Sequence, residues 1–220
     1  MSTIERKERE KEQRRRAILK AARKIFFEKG LQAAAMDEMA ETAELSKGTL
    51  YLYFKSKEDL YVSLLEEGLA ILRRMFEEVA ARPLPADEAL RQIGFTYYQF
   101  FKQYPDYFNI LVFADARVLH SQVSEEVLQG SERRSLACLE VVARVFARGV
   151  QEGFFRKDIP PIEVAILLWG TSNGMIGLIA NKAEHFMHEH KIDLEALMAK
   201  SWELALHSLR AIQKKKGNLS

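Results

Sequence analysis

Apolar residues in this chain recur at helical spacing, and that rhythm limits the fold more than anything else. Ile18, Ala21, Ala22, Ile25 and Phe26 stand at i, i+3, i+4, i+7 and i+8, which makes one apolar helix face. Similar stripes return along the chain: Leu60, Leu64, Ile71, Met75 and Val79, then Leu194, Leu197, Met198, Trp202, Leu206 and Leu209. No run alternates with period two, and no internal repeat is found. Prolines and glycines are scarce, 5 and 11, and the prolines fall between the periodic segments, where they punctuate helices. The expected fold is all-α: an N-terminal three-helix helix-turn-helix domain plus a larger C-terminal helical domain.

The segments read in order as follows. A helix begins near Arg15 and ends at Gly30, a C-terminal capping glycine. A short helix runs from Met36 to about Ala43, with Asp37 and Glu38 in its first turn, where the helix dipole favours them. Ser46 caps a second short helix through Phe54. Ser56 and Asp59, spaced as in a capping box, open a long helix. Further helices are expected from Asp87 to Tyr104, from Pro105, from Ser124 to Glu152, from Pro160 to His188 and from Asp193 to Ala211. The expected division is a flexible charged arm at 1–13, a helix-turn-helix domain at 14–57, an effector-binding and dimerisation domain at 58–213, and a basic tail at 214–220.

Charge supports the division. The whole chain of 220 residues carries a net charge of +2. Residues 1–57 hold 14 Lys and Arg against 9 Asp and Glu, and the remainder holds 19 against 22. The positive charge is therefore concentrated near the N-terminus. Within the arm, Glu5, Glu8, Glu10 and Glu12 interleave with the cations and favour a solvated segment over a phosphate-binding one.

Two short helices separated only by Glu44, Leu45 and Ser46 have the spacing of a helix-turn-helix. In such a unit the second helix presents its N-terminal residues to base edges and phosphates. Lys47 brings charge, Thr49 a hydroxyl, and Gly48 room for close approach. Tyr51, Tyr53, Lys55 and Lys57 flank that helix as backbone clamps, which position the protein without reading sequence. Leu50 and Phe54 are assigned to the core.

The stretch from Met36 through Leu60, MDEMAETAELSKGTLYLYFKSKEDL, resembles the DNA-binding domain of the tetracycline-repressor-like (TetR) transcriptional regulators, and Arg16 through Gly30 resembles that family's first helix. The resemblance is specific over roughly residues 14–65. It implies a homodimeric repressor that binds a palindromic operator in double-stranded DNA and is released by a small-molecule effector, with dimerisation through the last two long helices. It places Lys47, Gly48 and Thr49 at base and phosphate contacts, and Tyr51, Tyr53 and Lys57 at backbone contacts. The chain departs from the pattern in three places. Tyr53 stands where His is frequent. Ala33, Ala34 and Ala35 stand where a capping Thr is common. Glu44 stands where the turn often has Gly.

The C-terminal region supplies candidate effector and interface residues. Phe95, Tyr98, Phe101, Tyr107, Phe108, Asn109, Phe113, Trp169 and Asn173 are candidates for a pocket holding an apolar or aromatic effector, since such pockets are mostly apolar with a few polar groups. Met175, Ile176, Ile179, Leu194, Met198, Trp202 and Leu206 are candidates for a symmetric four-helix interface. Cys138, the only cysteine, is expected to be a buried inert thiol. The cluster Glu184, His185, His188, Glu189 and His190 lacks a metal-binding pattern, so no metal and no cofactor is expected. No catalytic motif is found, and no enzymatic activity is expected. The apolar stretch Val164 to Ala180 is broken by Gly170, Gly174 and Gly177 and reads as a buried or interfacial helix, not a membrane span. Charges open the N-terminus, and the expected site of action is the cytoplasm, at the nucleoid. The rival reading is a helical carrier for an apolar metabolite without DNA function.

Overall fold

The structure is a computed structural model and describes residues 3–112, 123 and 125–211. Among these residues there are nine helices and no strand: α1 (Thr3–Ala33), α2 (Met36–Thr42), α3 (Lys47–Tyr53), α4 (Lys57–Ala80), α5 (Ala86–Gln103), α6 (Pro105–Val112), α7 (Glu125–Gln151), α8 (Pro161–His190) and α9 (Leu194–Ser208). Phe113 and the basic tail lie outside the described residues.

The boundaries follow from local chemistry. Gly30 has φ 72°, so α1 kinks there with no Cβ penalty. Ser46 accepts the Thr49 amide and caps α3, as the sequence suggests. Ala35 precedes α2 with no side-chain cap. Glu44, in the glycine-preferring turn, sits in the left-handed region with φ 56°, which costs a non-glycine residue about 1 kcal/mol. Asp193 accepts the amides of Glu195 and Ala196 and starts α9.

The chain packs as two compact units, and the division is not at Lys57. Among the described residues, the first unit comprises 3–70, 104–112, 123 and 125–134, and the second 71–103 and 135–211. Helix α6 joins the first unit for specific reasons. The Tyr61 hydroxyl donates to the Ile110 carbonyl at 3.2 Å, and the Tyr107 hydroxyl to Glu67 at 2.8 Å. Arg23 lies 3.6 Å from Asp106 and 5.0 Å over the Tyr107 ring. Burial pushes the Tyr61 hydroxyl up to about 12, so it stays a donor. Ile18, Ala22, Ile25, Met39, Ala40, Leu50 and Leu60 form the core shared by α1, the short helices α2 and α3, and the start of α4.

The arm is a second departure. Residues 3–16 continue α1 as helix instead of forming a flexible segment. Glu-rich and Arg-rich sequences are good helix formers, and two i,i+4 pairs, Arg6–Glu10 and Glu12–Arg16, support the extension.

In the second unit, Ile93, Tyr97, Phe100, Val141, Phe146, Leu168 and Ile176 fill the core. Phe155 stacks on Phe146 at 5.1 Å. Backbone hydrogen bonds Arg156 N to Leu209 O and Ala211 N to Phe154 O tie the end of α9 to the α7–α8 connection. The buried Trp202 indole donates to Ser172 Oγ at 3.1 Å, so α8 and α9 are locked in register. Gly94 is required where α5 meets that indole: a Cβ there would lie 2.4 Å from the Trp202 ring. Gly94→Ala should therefore destabilise the protein by about 1–3 kcal/mol, through overpacking against a ring fixed by its hydrogen bond. Denaturant unfolding would read this as a lower midpoint at unchanged slope.

Candidate nucleic-acid interface

Helix α3 rests on a short core anchor. Leu50 is fully buried and Phe54 nearly so, which fixes the helix at two points one turn apart. The residues between them face outward. Tyr51 is exposed, Leu52 is 85 % exposed, and Tyr53 is half-buried. Lys47 and Gly48 are exposed at the start of the helix. A Cβ at Gly48 would have no neighbour within 4 Å, so nothing within the chain demands glycine there. Thr49 is half-buried, and its hydroxyl is 2.8 Å from Ser46 Oγ.

The lysines differ in what holds them. Lys47 pairs with Asp37 at 2.8 Å, and this carboxylate holds its ammonium above the ordinary lysine value. The pair is exposed and is worth little to stability. Lys55 has an exposed side chain, and its backbone amide donates to Asp59 at 3.2 Å. Lys57 does not stand free as a clamp. Its Nζ donates to the Gln32 carbonyl at 2.9 Å and the Ala34 carbonyl at 3.2 Å. That ammonium satisfies carbonyls left without partners where α1 ends and α2 has no side-chain cap. The contact spans 25 positions in sequence, and the sequence gives no local signal for it. Leu52 also escaped the sequence reading, although Leu50 and Phe54 facing inward require position 52 to face outward.

The expected effector residues are divided between the two units. Phe95, Tyr98, Phe101, Trp169 and Asn173 belong to the second unit, whereas Tyr107, Phe108 and Asn109 belong to the first. Tyr107 and Phe108 are core residues, and Asn109 lines a cleft of about 420 Å³ with Phe26 and Tyr61. Trp169 and Asn173 join through Tyr97: the indole donates to the Tyr97 hydroxyl at 3.2 Å, and that hydroxyl donates to Asn173 at 2.7 Å. Of the expected set only Phe95 and Tyr98 line the groove of the second unit, which has a volume of about 880 Å³. Met75, Val79, Met198 and Trp202 form its apolar wall, with Arg82, Arg91 and Glu195 around it. The Tyr98 hydroxyl is buried beside Glu195 without meeting it in hydrogen-bonding geometry. The Glu195 carboxylate is held below its ordinary value by that hydroxyl and by Lys102, 3.1 Å away.

The expected interface residues need correction as well. Ile176, Ile179, Leu194, Met198, Trp202 and Leu206 are buried inside this chain, and Met175 is half-buried. The apolar stripes on α8 and α9 serve the chain's own core. The outward face of α8 carries Leu167, Gly170, Gly174 and Leu178 instead, and that of α9 carries Leu197 and Leu204. Cys138 is buried, and burial pushes its thiol up to about 11, which leaves it unreactive near neutral pH. Among the described residues no group of three His, Cys, Asp or Glu stands close enough to hold a metal ion.

Known proteins place this geometry. The family described as "Bacterial regulatory proteins, tetR family" matches residues 18–64, which span the core part of α1 through the first turns of α4. An uncharacterised HTH-type transcriptional regulator, YhgD of Bacillus subtilis, is 27 % identical over 155 residues, covering 70 % of this chain and 78 % of that protein. The HTH-type transcriptional repressor KstR2 of Rhodococcus jostii is 29 % identical over 146 residues, covering 66 % of this chain and 70 % of its own length. Over residues 18–64 the chain carries the DNA-binding domain of the TetR family of transcriptional regulators. The crystal structure of the regulator FadR from Bacillus subtilis in complex with stearoyl-CoA shares the fold, with a TM-score of 0.68 at 23 % identity over 88 % of this chain and 98 % of that one. With that domain the protein is a DNA-binding transcriptional regulator and not an enzyme.

The two hydrogen bonds of Lys57 give it a structural role separable from DNA contact. Lys57→Met should lower unfolding stability by about 1 kcal/mol, because both carbonyls lose a charged donor while remaining partly open to water. A calorimetric midpoint measured without DNA checks this, since a purely DNA-contacting lysine would leave it unchanged.

Proposed function

We propose that the protein is a homodimeric repressor. It reads a palindromic operator through α3 and is released when an apolar effector occupies the second unit. The observation that carries the reading is the exposed face of α3 above the buried Leu50 and Phe54, inside the segment that matches the TetR family. Lys47, Gly48, Thr49, Tyr51 and Lys55 supply the polar and charged contacts. Leu52 supplies an apolar surface of the kind that meets a thymine methyl group. Recognition needs two half-sites one helical turn or a multiple apart, so the two copies must be joined rigidly.

The outward faces of α8 and α9 suit that junction. Leu167, Leu178 and Leu204 are exposed apolar residues, and Gly170 and Gly174 let a facing helix approach closely. For the effector, the groove of the second unit offers an apolar wall with arginines beside it. Both features suit a long acyl chain carried on an anionic headgroup, and the fold likeness to a regulator crystallised with stearoyl-CoA points the same way. Helix α4 runs unbroken from Lys57 in the first unit to Ala80 in the second, and it is the natural carrier of a population shift between DNA-competent and released forms. The protein acts in the cytoplasm, where its DNA lies.

In vitro selection from random duplexes tests the reading, and the full chain should enrich an inverted repeat. Leu167→Glu with Leu204→Glu should sediment as a monomer and lose tight operator binding, because a buried carboxylate pair opposes the interface. Added stearoyl-CoA should release the wild type from its operator. Failure to enrich any sequence, together with an apolar metabolite co-purifying with the protein, would favour the carrier reading.

A further inference from the structure

The N-terminal extension of α1 is amphipathic in charge, and its basic face has no work inside the chain. Its sequence interleaves acids and bases, so no face is evident until the segment is known to be helical. In helical register, Lys7, Lys11 and Arg14 continue, at spacings of four and three, the stripe formed by Ile18, Ala21 and Ile25. Ile18, Ala21 and Ile25 are buried against the helix-turn-helix core. One helix face therefore turns from apolar to basic where the core ends. The acids Glu5, Glu8 and Glu12 gather on the other side of the helix, and Glu10, at the edge of the basic face, is taken up by its pair with Arg6.

The ion pairs sort the same way. Arg6 and Arg16 are paired with Glu10 and Glu12. Lys7, Lys11 and Arg14 make no ion pair or hydrogen bond among the described residues, and all three are exposed. The extension is anchored beside the recognition helix, since the Arg15 guanidinium lies 5.4 Å over the ring of Phe54, the residue that closes α3. From Ile18 back to Thr3 the helix reaches roughly 22 Å beyond the core.

We propose that the Lys7–Lys11–Arg14 face docks on the DNA backbone flanking the operator half-site and so extends the footprint of α3 without reading sequence. Duplex DNA presents about one phosphate charge per 1.7 Å of axis, and unpaired cations on a rigid helix meet it with little ordering cost. The inference rests on the DNA-binding reading above, and its test separates the two.

The experiment compares three full-length proteins on the selected operator: wild type, K7Q/K11Q/R14Q, and R6Q/R9Q/R16Q, which removes the same charge from the opposite face. Affinity is measured across a salt series on a duplex with ten extra base pairs at each end and on one cut at the half-site edges. Circular dichroism confirms equal helicity. On the long duplex, K7Q/K11Q/R14Q should flatten the slope of log affinity against log salt by about 2–3, near 0.9 per lost phosphate contact, and weaken binding at least tenfold near 150 mM salt. R6Q/R9Q/R16Q should change the slope by less than one. The short duplex should abolish the difference between wild type and K7Q/K11Q/R14Q, and the selected sequence should be the same for all three proteins. Equal slope changes in both triple variants, or none in either, overturn the docking face while leaving operator recognition by α3 intact. A wild type that selects no operator overturns both.

Discussion

A helix of seven residues is too short to hold itself together in water, because nucleation costs more than two turns of hydrogen bonds return. Helix α3 exists only because the rest of its unit forces it to. Leu50 and Phe54 plug it into a core built by Ile18, Ala22, Met39 and Leu60. Ser46 caps it, and the left-handed Glu44 sets the angle at which the chain enters. Lys57 then ties the following helix back to the α1–α2 connection. What faces outward is the remainder: Lys47, Gly48, Tyr51, Leu52 and Lys55. The surface proposed to contact DNA is what the core does not need.

That dependence explains what the sequence made legible. The helix-turn-helix could be read because its signals are local: an apolar period, a serine cap, and a three-residue turn within about 40 residues. The positions of Leu50 and Phe54 followed from the same period. Lys57 could not be read, since its partners lie 23 and 25 positions away and are backbone carbonyls, which carry no sequence signature. The helical state of the charged arm was hidden for a different reason. Interleaved Glu and Arg look self-cancelling along the chain, yet in helical register they separate onto faces. The α8 and α9 stripes show the limit of composition on a doubly apolar helix. Ile176 and Trp202 are as apolar as an interface requires, and only packing reveals that they face inward while Leu167 and Leu204 face outward.

The aromatic run from Phe95 to Phe108 was legible as dense packing but not as a site. It divides between units, with Tyr107 and Phe108 in the first core and Tyr97 and Phe100 in the second. A groove arises where an aromatic is left out of both cores, as Phe95 is at 63 % exposure. Effector response then asks the second unit to bias the first, and the chain offers α4 as a continuous element to carry that bias.

Hydroxyl-radical footprinting of the protein's side chains, with and without its selected duplex, tests the central claim most directly. DNA should protect Tyr51 and Leu52 on α3 while Phe95, exposed in the groove of the second unit, keeps its reactivity. Protection of Phe95 with Tyr51 and Leu52 unchanged would contradict this.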